Sequence, residues 1–305
     1  MAAQNPLRAA VGRIKVSGTP GYSIAKKVES ATEFYPGRLA QKGATIDGVT
    51  VGTALARPAG WIDFEESPLR DQPATLVTAY AKDAYANISW GDAFAIAASL
   101  AVGCTVGEHA LLANWANGQV IGPVVPAPGG LYLGIPFTKN AAEVSTGIEL
   151  PAGMIVGPHS FIEVTKNVAL ATIDVGLNEA ASAGGTGETG GDANGFLAGV
   201  SCANKGIVGP VVAHTTAASI TLGAKLYDGV SKSTDTTAVY AATPKSPGHV
   251  CDGVAKTVTY TTTDSAIEGT IWLHLIHPGL TVVGQAESAA SATTAAATVI
   301  VSNKI

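Results

Sequence analysis

Charge is scarce in this sequence, and the scarcity excludes several kinds of protein at once. Only 13% of the 305 residues are Asp, Glu, Lys or Arg, against 47% apolar, the reverse of a disordered chain. Cysteine is nearly absent too. Cys104, Cys202 and Cys251 are odd in number and far apart, which argues against a disulfide framework and for buried free thiols in a reducing cytoplasm. The longest apolar runs, AFAIAASLAVG and AAATVIV, fall short of the roughly 20 residues of a membrane helix. The opening MAAQNPLRAAVGRIKV lacks the continuous apolar stretch of a secretory signal, so neither export nor a membrane partner is expected. Dense Lys/Arg clusters with interleaved aromatics are missing as well, which speaks against direct nucleic-acid binding.

What the sequence has in abundance is punctuation. With 36 Gly and 16 Pro, short alternating or apolar runs are cut by turn pairs, as strands and hairpins read. Asp47-Gly48, Asn117-Gly118, Asn194-Gly195, Asp228-Gly229 and Asp252-Gly253 are candidate turn tips, because such pairs accept positive φ at little cost. An all-β, mainly antiparallel fold is therefore expected. TVTYTTT (257 to 263) and TIWLHLIH (270 to 277), joined by DSAIEG, predict a hairpin, with Ile271, Leu273 and Leu275 on one face and Trp272, His274 and Ile276 on the other. SWGDAFAIAASLAVG (89 to 103) is read as strand in spite of its alanines, and GPVVPAPGGLYLGIPF (122 to 137) as an extended connector. A short echo, Thr50-Val51-Gly52, Thr105-Val106-Gly107 and Thr221-Leu222-Gly223, suggests a repeated strand-turn-strand device.

The motifs that could carry chemistry fail on context. Gly185, Gly187 and Gly190 satisfy G-x-G-x-x-G, but a dinucleotide loop must open a helix and be followed by an acidic residue about 20 positions on. Here Asn194-Gly195, Gly199 and Gly206 discourage a helix, so residues 184 to 195 are expected to form a hairpin loop. Counted from Asp192, the twelfth position is Ala203, which excludes an EF-hand and leaves at most a weak loop-bound calcium. His274 and His277 fall on opposite faces of a strand, and His249 with Cys251 supply only two ligands. Glu65 and Glu66, beside Trp61 and Asp63, are adjacent carboxylates that point apart on a strand. No nucleophile elbow is present. A protein that is no enzyme, with no cofactor and no resident metal, is the expectation.

Residues 1 to 42 hold Arg8, Arg13, Lys15, Lys26, Lys27, Arg38 and Lys42 against Glu29 and Glu33, a basic start before an acidic remainder. Low charge with positive mean hydropathy also favours association, either with copies of the chain, a trimer being the first expectation, or with a partner. The chain divides into an extended basic arm over 1–30, a β-module over 31–165, a β-sandwich module over 166–280 and an Ala/Thr/Ser-rich, low-complexity tail over 281–305. The arm is expected to order only against a partner, and TVIVS in the tail to form an edge strand.

KVESATEFYPGRLAQKG, PAGWIDFEE and YANISWGDAFAIAASLAVGCTVGEHALLANWANGQV resemble the head decoration, or cement, proteins encoded beside the capsid genes of tailed bacterial and archaeal viruses. TIDVGL, GGDANGFLAGV and GTIWLHL resemble a second β-module of related virion proteins. The resemblance implies β-barrel or β-sandwich modules, a place in the virion after assembly in the host cytoplasm, binding to the major capsid protein, and two- or three-fold oligomers. Arg8, Arg13, Lys15, Lys26 and Lys27 are then the candidate capsid contacts. A tail-tube or fibre component is the second reading and a carbohydrate-active β protein the third.

Overall fold

The computed structural model describes residues 15–18, 21–30, 32–64, 78–91, 94–138, 143–157, 159–179, 192–208, 213–214, 220–221, 249–250, 256–264 and 266–303. They form strands joined by turns and a single 3-10 turn, Ala116–Gly118, with no α-helix among the described residues. In chain order the first strands are β1 (Lys15–Gly18), β2 (Tyr22–Val28), β3 (Leu39–Lys42), β4 (Gly48–Val51), β5 (Gly60–Ile62), β6 (Tyr85–Trp90), β7 (Phe94–Leu100), β8 (Thr105–Val106), β9 (Leu111–Asn114) and β10 (Val120–Ala127). Then follow β11 (Gly130–Thr138), β12 (Val144–Leu150), β13 (Ile155–Val156), β14 (Phe161–Lys166), β15 (Thr172–Glu179), β16 (Asp192–Ser201), β17 (Gly206–Val208), β18 (Ala213–His214), β19 (Ile220–Thr221), β20 (His249–Val250), β21 (Lys256–Thr262) and β22 (Glu268–Ile276). The chain ends with β23 (Val282–Ala286), β24 (Ala290–Ser291) and β25 (Ala297–Asn303). Among the described residues pairing is mainly antiparallel, while β2 with β4 and the single contact of β10 with β7 are parallel. The mainly antiparallel all-β expectation holds.

The chain forms two compact units, 1–126 with 278–305, and 127–277. These limits differ from the sequence-based ones at 30, 165 and 280. The first unit contains a closed barrel, β2-β4-β3-β5-β6. Val28, Phe34, Ala40, Val49, Ile62, Tyr80, Ala86 and Ile88 fill its core. Asp63 is buried but satisfied: its carboxylate accepts from Ser89 Oγ at 2.9 Å and from the Phe64 N–H at 2.7 Å, while Tyr80 Oη donates to its carbonyl at 2.7 Å. A buried carboxylate needs such donors. Asp63 thus serves the fold, and Glu65 and Glu66 lie outside the described residues.

The other sheet of this unit runs β1-β7-β25-β23-β9-β10, with a small β8–β24 ladder beside it. Two expectations are corrected here. From Lys15 on, the arm is not left for a partner: β1 pairs with β7, and β2 belongs to the barrel. The tail strand is not at an edge either, because β25 lies between β7 and β23 and buries Val299 and Val301. Composition suggested a loose tail, but alternation in ATVIVSN is what a paired strand needs. Trp61 Nε1 donates to Asn303 Oδ1 at 3.3 Å, tying the barrel to that last strand.

The second unit has two sheets. One places β22 between β11 on one side and β13 and β14 on the other, with β17 beside β14 and β20 beside β13. The other runs β12-β21-β15-β16. They meet through Phe137 on β11 and Tyr260 on β21, whose ring centroids are 6.2 Å apart. The expected hairpin of 257–277 is therefore a crossover: β21 and β22 lie in different sheets. Buried Ile267 turns the connection inward, so the chain passes from one layer to the other. The face assignment survives, since Ile271, Leu273 and Leu275 are all buried.

Among the turn tips, Asp47-Gly48 joins β3 to β4, and Asn117 (φ 56°) with Gly118 (φ 66°) joins β9 to β10. Asn194-Gly195 is corrected: it lies inside β16. Asp228-Gly229 and Asp252-Gly253 are outside the described residues. The reading of 122–137 as a connector is corrected too, because Pro123 and Pro126 sit in strand β10 and Pro136 in β11. Residues 94–100 are strand, as expected.

A longer repeat than the Thr-Val-Gly echo becomes visible once the strands are known. Leu100, Gly103, Val106, Gly107, His109 and Leu112 recur, 50 residues on, as Leu150, Gly153, Val156, Gly157, His159 and Ile162. In both copies a strand ends, a glycine takes positive φ (87° and 88°), a two-residue strand follows, and a longer strand begins after the next turn. The shared apolar positions are buried in both. Of the earlier echo, Thr50–Val51 is in β4 and Thr105–Val106 in β8, with unrelated pairings, and 222–223 lie outside the described residues.

Asn114 holds the returning chain in the first unit. Its Nδ2 donates to the carbonyls of Thr53, Ala56 and Gly279 at 3.1, 3.1 and 3.0 Å, and its Oδ1 accepts the Thr281 N–H at 2.7 Å. Replacing it strands several buried backbone groups at about 1–3 kcal/mol each. Asn114→Ala is expected to destabilise the protein by about 3 kcal/mol in urea unfolding, whereas Asn117→Gly, at a turn with positive φ, should be close to neutral.

Candidate functional site

Strand β2 carries exposed apolar side chains next to the lysines that the sequence singles out. Tyr22, Ile24, Lys26 and Val28 alternate onto one face. Val28 closes the barrel core, Lys26 is half-buried, and Ile24 and Tyr22 are 43% and 65% exposed. The face therefore leaves the core at Val28 and emerges as an apolar lip at the end of the barrel. Tyr22 stacks on Trp90 of β6, centroids 5.6 Å apart and planes at 23°. β6 pairs with β2 from Tyr22 to Lys27, but β4 pairs with it only at Lys27 and Val28. Among the described residues, no strand covers that second side of residues 22–26.

The cations of β2 are wired into the barrel. Lys26 Nζ lies 3.4 Å from Asp47 and Lys27 Nζ 2.8 Å from Asp83. The Asp83 hydrogen bond and charge raise the pKa of Lys27, and Lys27 in turn lowers that of Asp83. Both pairs are exposed and contribute little to stability. Lys15 lies in β1, in register with Ile96. Arg8 and Arg13 fall outside the described residues. The structure thus brings Lys26 and Lys27 to one strand, on its opposite faces, and adds Tyr22, Ile24 and Trp90, which charge-based reasoning passed over. The signal for them was present as alternation in GYSIAKKV.

The strand continues into Glu29, whose carboxylate accepts from the N–H groups of Ala44 and Thr45 at 2.6 and 2.8 Å and from Thr45 Oγ1 at 2.6 Å. A Cβ on Gly43 or Gly48 would collide with this carboxylate, so both glycines are required by its approach. The Thr45 hydroxyl and then the two N–H groups hold the Glu29 pKa below the ordinary carboxylate range.

The outer face of β22 carries a second cluster. Tyr132, Phe161, Trp272, His274 and His159 touch in a chain, with centroid separations of 5.1 to 6.2 Å. Glu163 accepts from Trp272 Nε1 at 3.0 Å. His274 lies within β22, whereas His277 follows the end of that strand. Cys104 and Cys202 are buried free thiols, each pushed up to about 11 by burial; Cys251 lies outside the described residues. No group of three His, Cys, Asp or Glu able to hold a metal occurs among the described residues. Most of the 184–195 loop is outside them, but β16 runs antiparallel to β15, so a strand and not a helix follows the glycines. That arrangement cannot be a dinucleotide loop. Among the described residues, no helix is long and apolar enough to cross a membrane.

No family model matches the chain, and no curated protein matches it significantly.

Because the folded-state pKa of Glu29 is lowered, its contribution to stability is present above the ordinary value of about 4.3 and fades as pH falls through the folded value. NMR titration should find the midpoint of the Glu29 carboxylate below the ordinary value. Glu29→Gln should remove the acid step and speed amide exchange at Ala44 and Thr45.

Proposed function

We propose that the protein is a non-enzymatic virion component that binds the major capsid protein of an assembled shell and stabilises it, acting as an oligomer with a trimer as the first choice. The observation that carries this reading is the lip of Tyr22 and Ile24 beside Lys26, an exposed apolar stripe with one lysine on its own face of a closed barrel. Apolar side chains left exposed on an otherwise closed β-barrel favour a protein partner. The resemblance of the KVESATEFYPGRLAQKG and YANISWGDAF segments to head decoration proteins names the shell as that partner, and β2 with its lysines lies in and beside these segments. A shell presents the same contact many times, so a modest lip suffices for tight overall attachment.

The mechanism is mechanical rather than chemical. The lip and the uncovered side of residues 22–26 accept an apolar or extended segment of a capsid subunit. Lys26 steers and orients an acidic neighbour, and long-range attraction of that kind weakens with salt.

Co-sedimentation with particles lacking this protein tests the proposal. The wild-type chain should pellet with heads and not with purified tails. Tyr22→Ser with Ile24→Ser should fold normally, since both side chains are exposed, yet lose at least about tenfold in affinity, the equivalent of about 1.4 kcal/mol. Lys26→Ala should act more weakly and mainly at low salt. Equal binding by the double variant, or binding to tails instead of heads, overturns the proposal.

A further inference from the structure

We propose that Gly157 and Ser160 in the second unit form an acid-releasable clasp, locked on β22 by a neutral His274 and freed when His274 takes up a proton. Two bonds dock the clasp on this one residue, and a third ties its own two ends together. The Gly157 N–H donates to the His274 carbonyl at 2.6 Å. The His274 N–H donates to Ser160 Oγ at 3.1 Å, and Ser160 Oγ donates to the Gly157 carbonyl at 3.1 Å. The His274 ring packs so closely on Gly157 that a Cβ there would strike Nδ1.

The ring itself is poorly provided for. His274 is buried, and neither ring nitrogen has a hydrogen-bond partner. An unpaired buried polar group is costly, and an unpaired buried charge more so. The groups around it offer no counter-charge. His159 faces it from the turn with centroids 5.7 Å apart, and Tyr132 faces it from β11 at 5.1 Å. The Pro128 carbonyl, before β11, favours the charged ring, but burial and His159 outweigh it. Glu163, which β14 presents on the same face, is engaged by Trp272. On β22 itself Trp272 and Ile276 lie on the same face as the ring, and His277 follows the end of the strand. Burial first and His159 second push the His274 pKa below the ordinary histidine value.

The direction of the response follows. The opened turn exposes His274 to water, where it binds a proton at the ordinary value near 6.5, so opening becomes easier as pH falls below that value. The gain is about tenfold in open population per pH unit until the ring protonates in place. Release frees β13, which pairs with β22 at Ile155–Ile276 and Val156–Leu275. The first unit supplies an internal control, because its copy of the turn, Gly107 to Ala110, has open space where His274 stands in the second.

Hydrogen exchange of the full chain, corrected for intrinsic rates, tests the clasp between about pH 7.5 and about pH 5. Exchange over 154–164 and 270–277 should accelerate on acidification by at least about tenfold, while 104–114 stays unchanged. His274→Phe, which keeps a ring among rings, should abolish the acceleration. If that variant does not fold, His159→Asn serves, and removing its repulsion should shrink the acceleration. No acceleration in the wild type, an equal change over 104–114, or a full response persisting in the folded variants overturns the proposal.

Discussion

The first unit depends on the return of its own C-terminal segment. Without β25, strands β7 and β23 would each lose a partner along a full edge, and the buried side chains of Val299 and Val301 would leave the sheet. An edge of that length is an aggregation hazard as well as a loss of stability. Asn114 makes the return specific. One buried amide binds residues 53 to 56 and 279 to 281, so the barrel-side loop and the incoming chain are fixed by the same side chain. Gly279 completes the arrangement, since a Cβ there would meet the Leu55 backbone. Hydrogen bonds of this kind add little individually but cost much when one partner is removed.

This constraint bears on function because it makes the barrel a rigid support. Trp61 joins β5 to Asn303, Asp63 holds Ser89 and Tyr80 to the same region, and Glu29 fastens the hairpin beside β2. A lip on such a frame loses little conformational freedom when it docks, which favours binding. The proposed capsid attachment needs no moving part in this unit. The second unit carries the contrasting feature, a turn held by a histidine whose preferred charge state is set by burial.

Much of the fold was legible because strands announce themselves through alternation and glycine. IWLHLIH placed its buried face correctly, Asp47-Gly48 fell at a turn, and Asn117-Gly118 turned through the positive φ that such a pair tolerates. Pairing was not legible. DSAIEG has the length of a hairpin loop, yet Ile267 is buried and carries the chain between layers. The Ala-rich tail hid a central strand because composition dilutes a short alternating run. The candidate site was half legible: charge pointed to Lys26 and Lys27, but the exposure of Tyr22 and Ile24 arises only because β4 is shorter than β2. The Leu-Gly-Val-Gly-His repeat was readable in principle, and its spacing was obscured by the shorter Thr-Val-Gly echo.

The central claim is that the end of the barrel faces a viral shell, and a cryo-electron reconstruction of the particle carrying this protein tests it most directly. The account predicts density for this chain on the capsid surface, with Tyr22, Ile24 and Trp90 turned toward the major capsid protein. Density for the chain in the tail, or on the head with β2 turned to solvent, would contradict it.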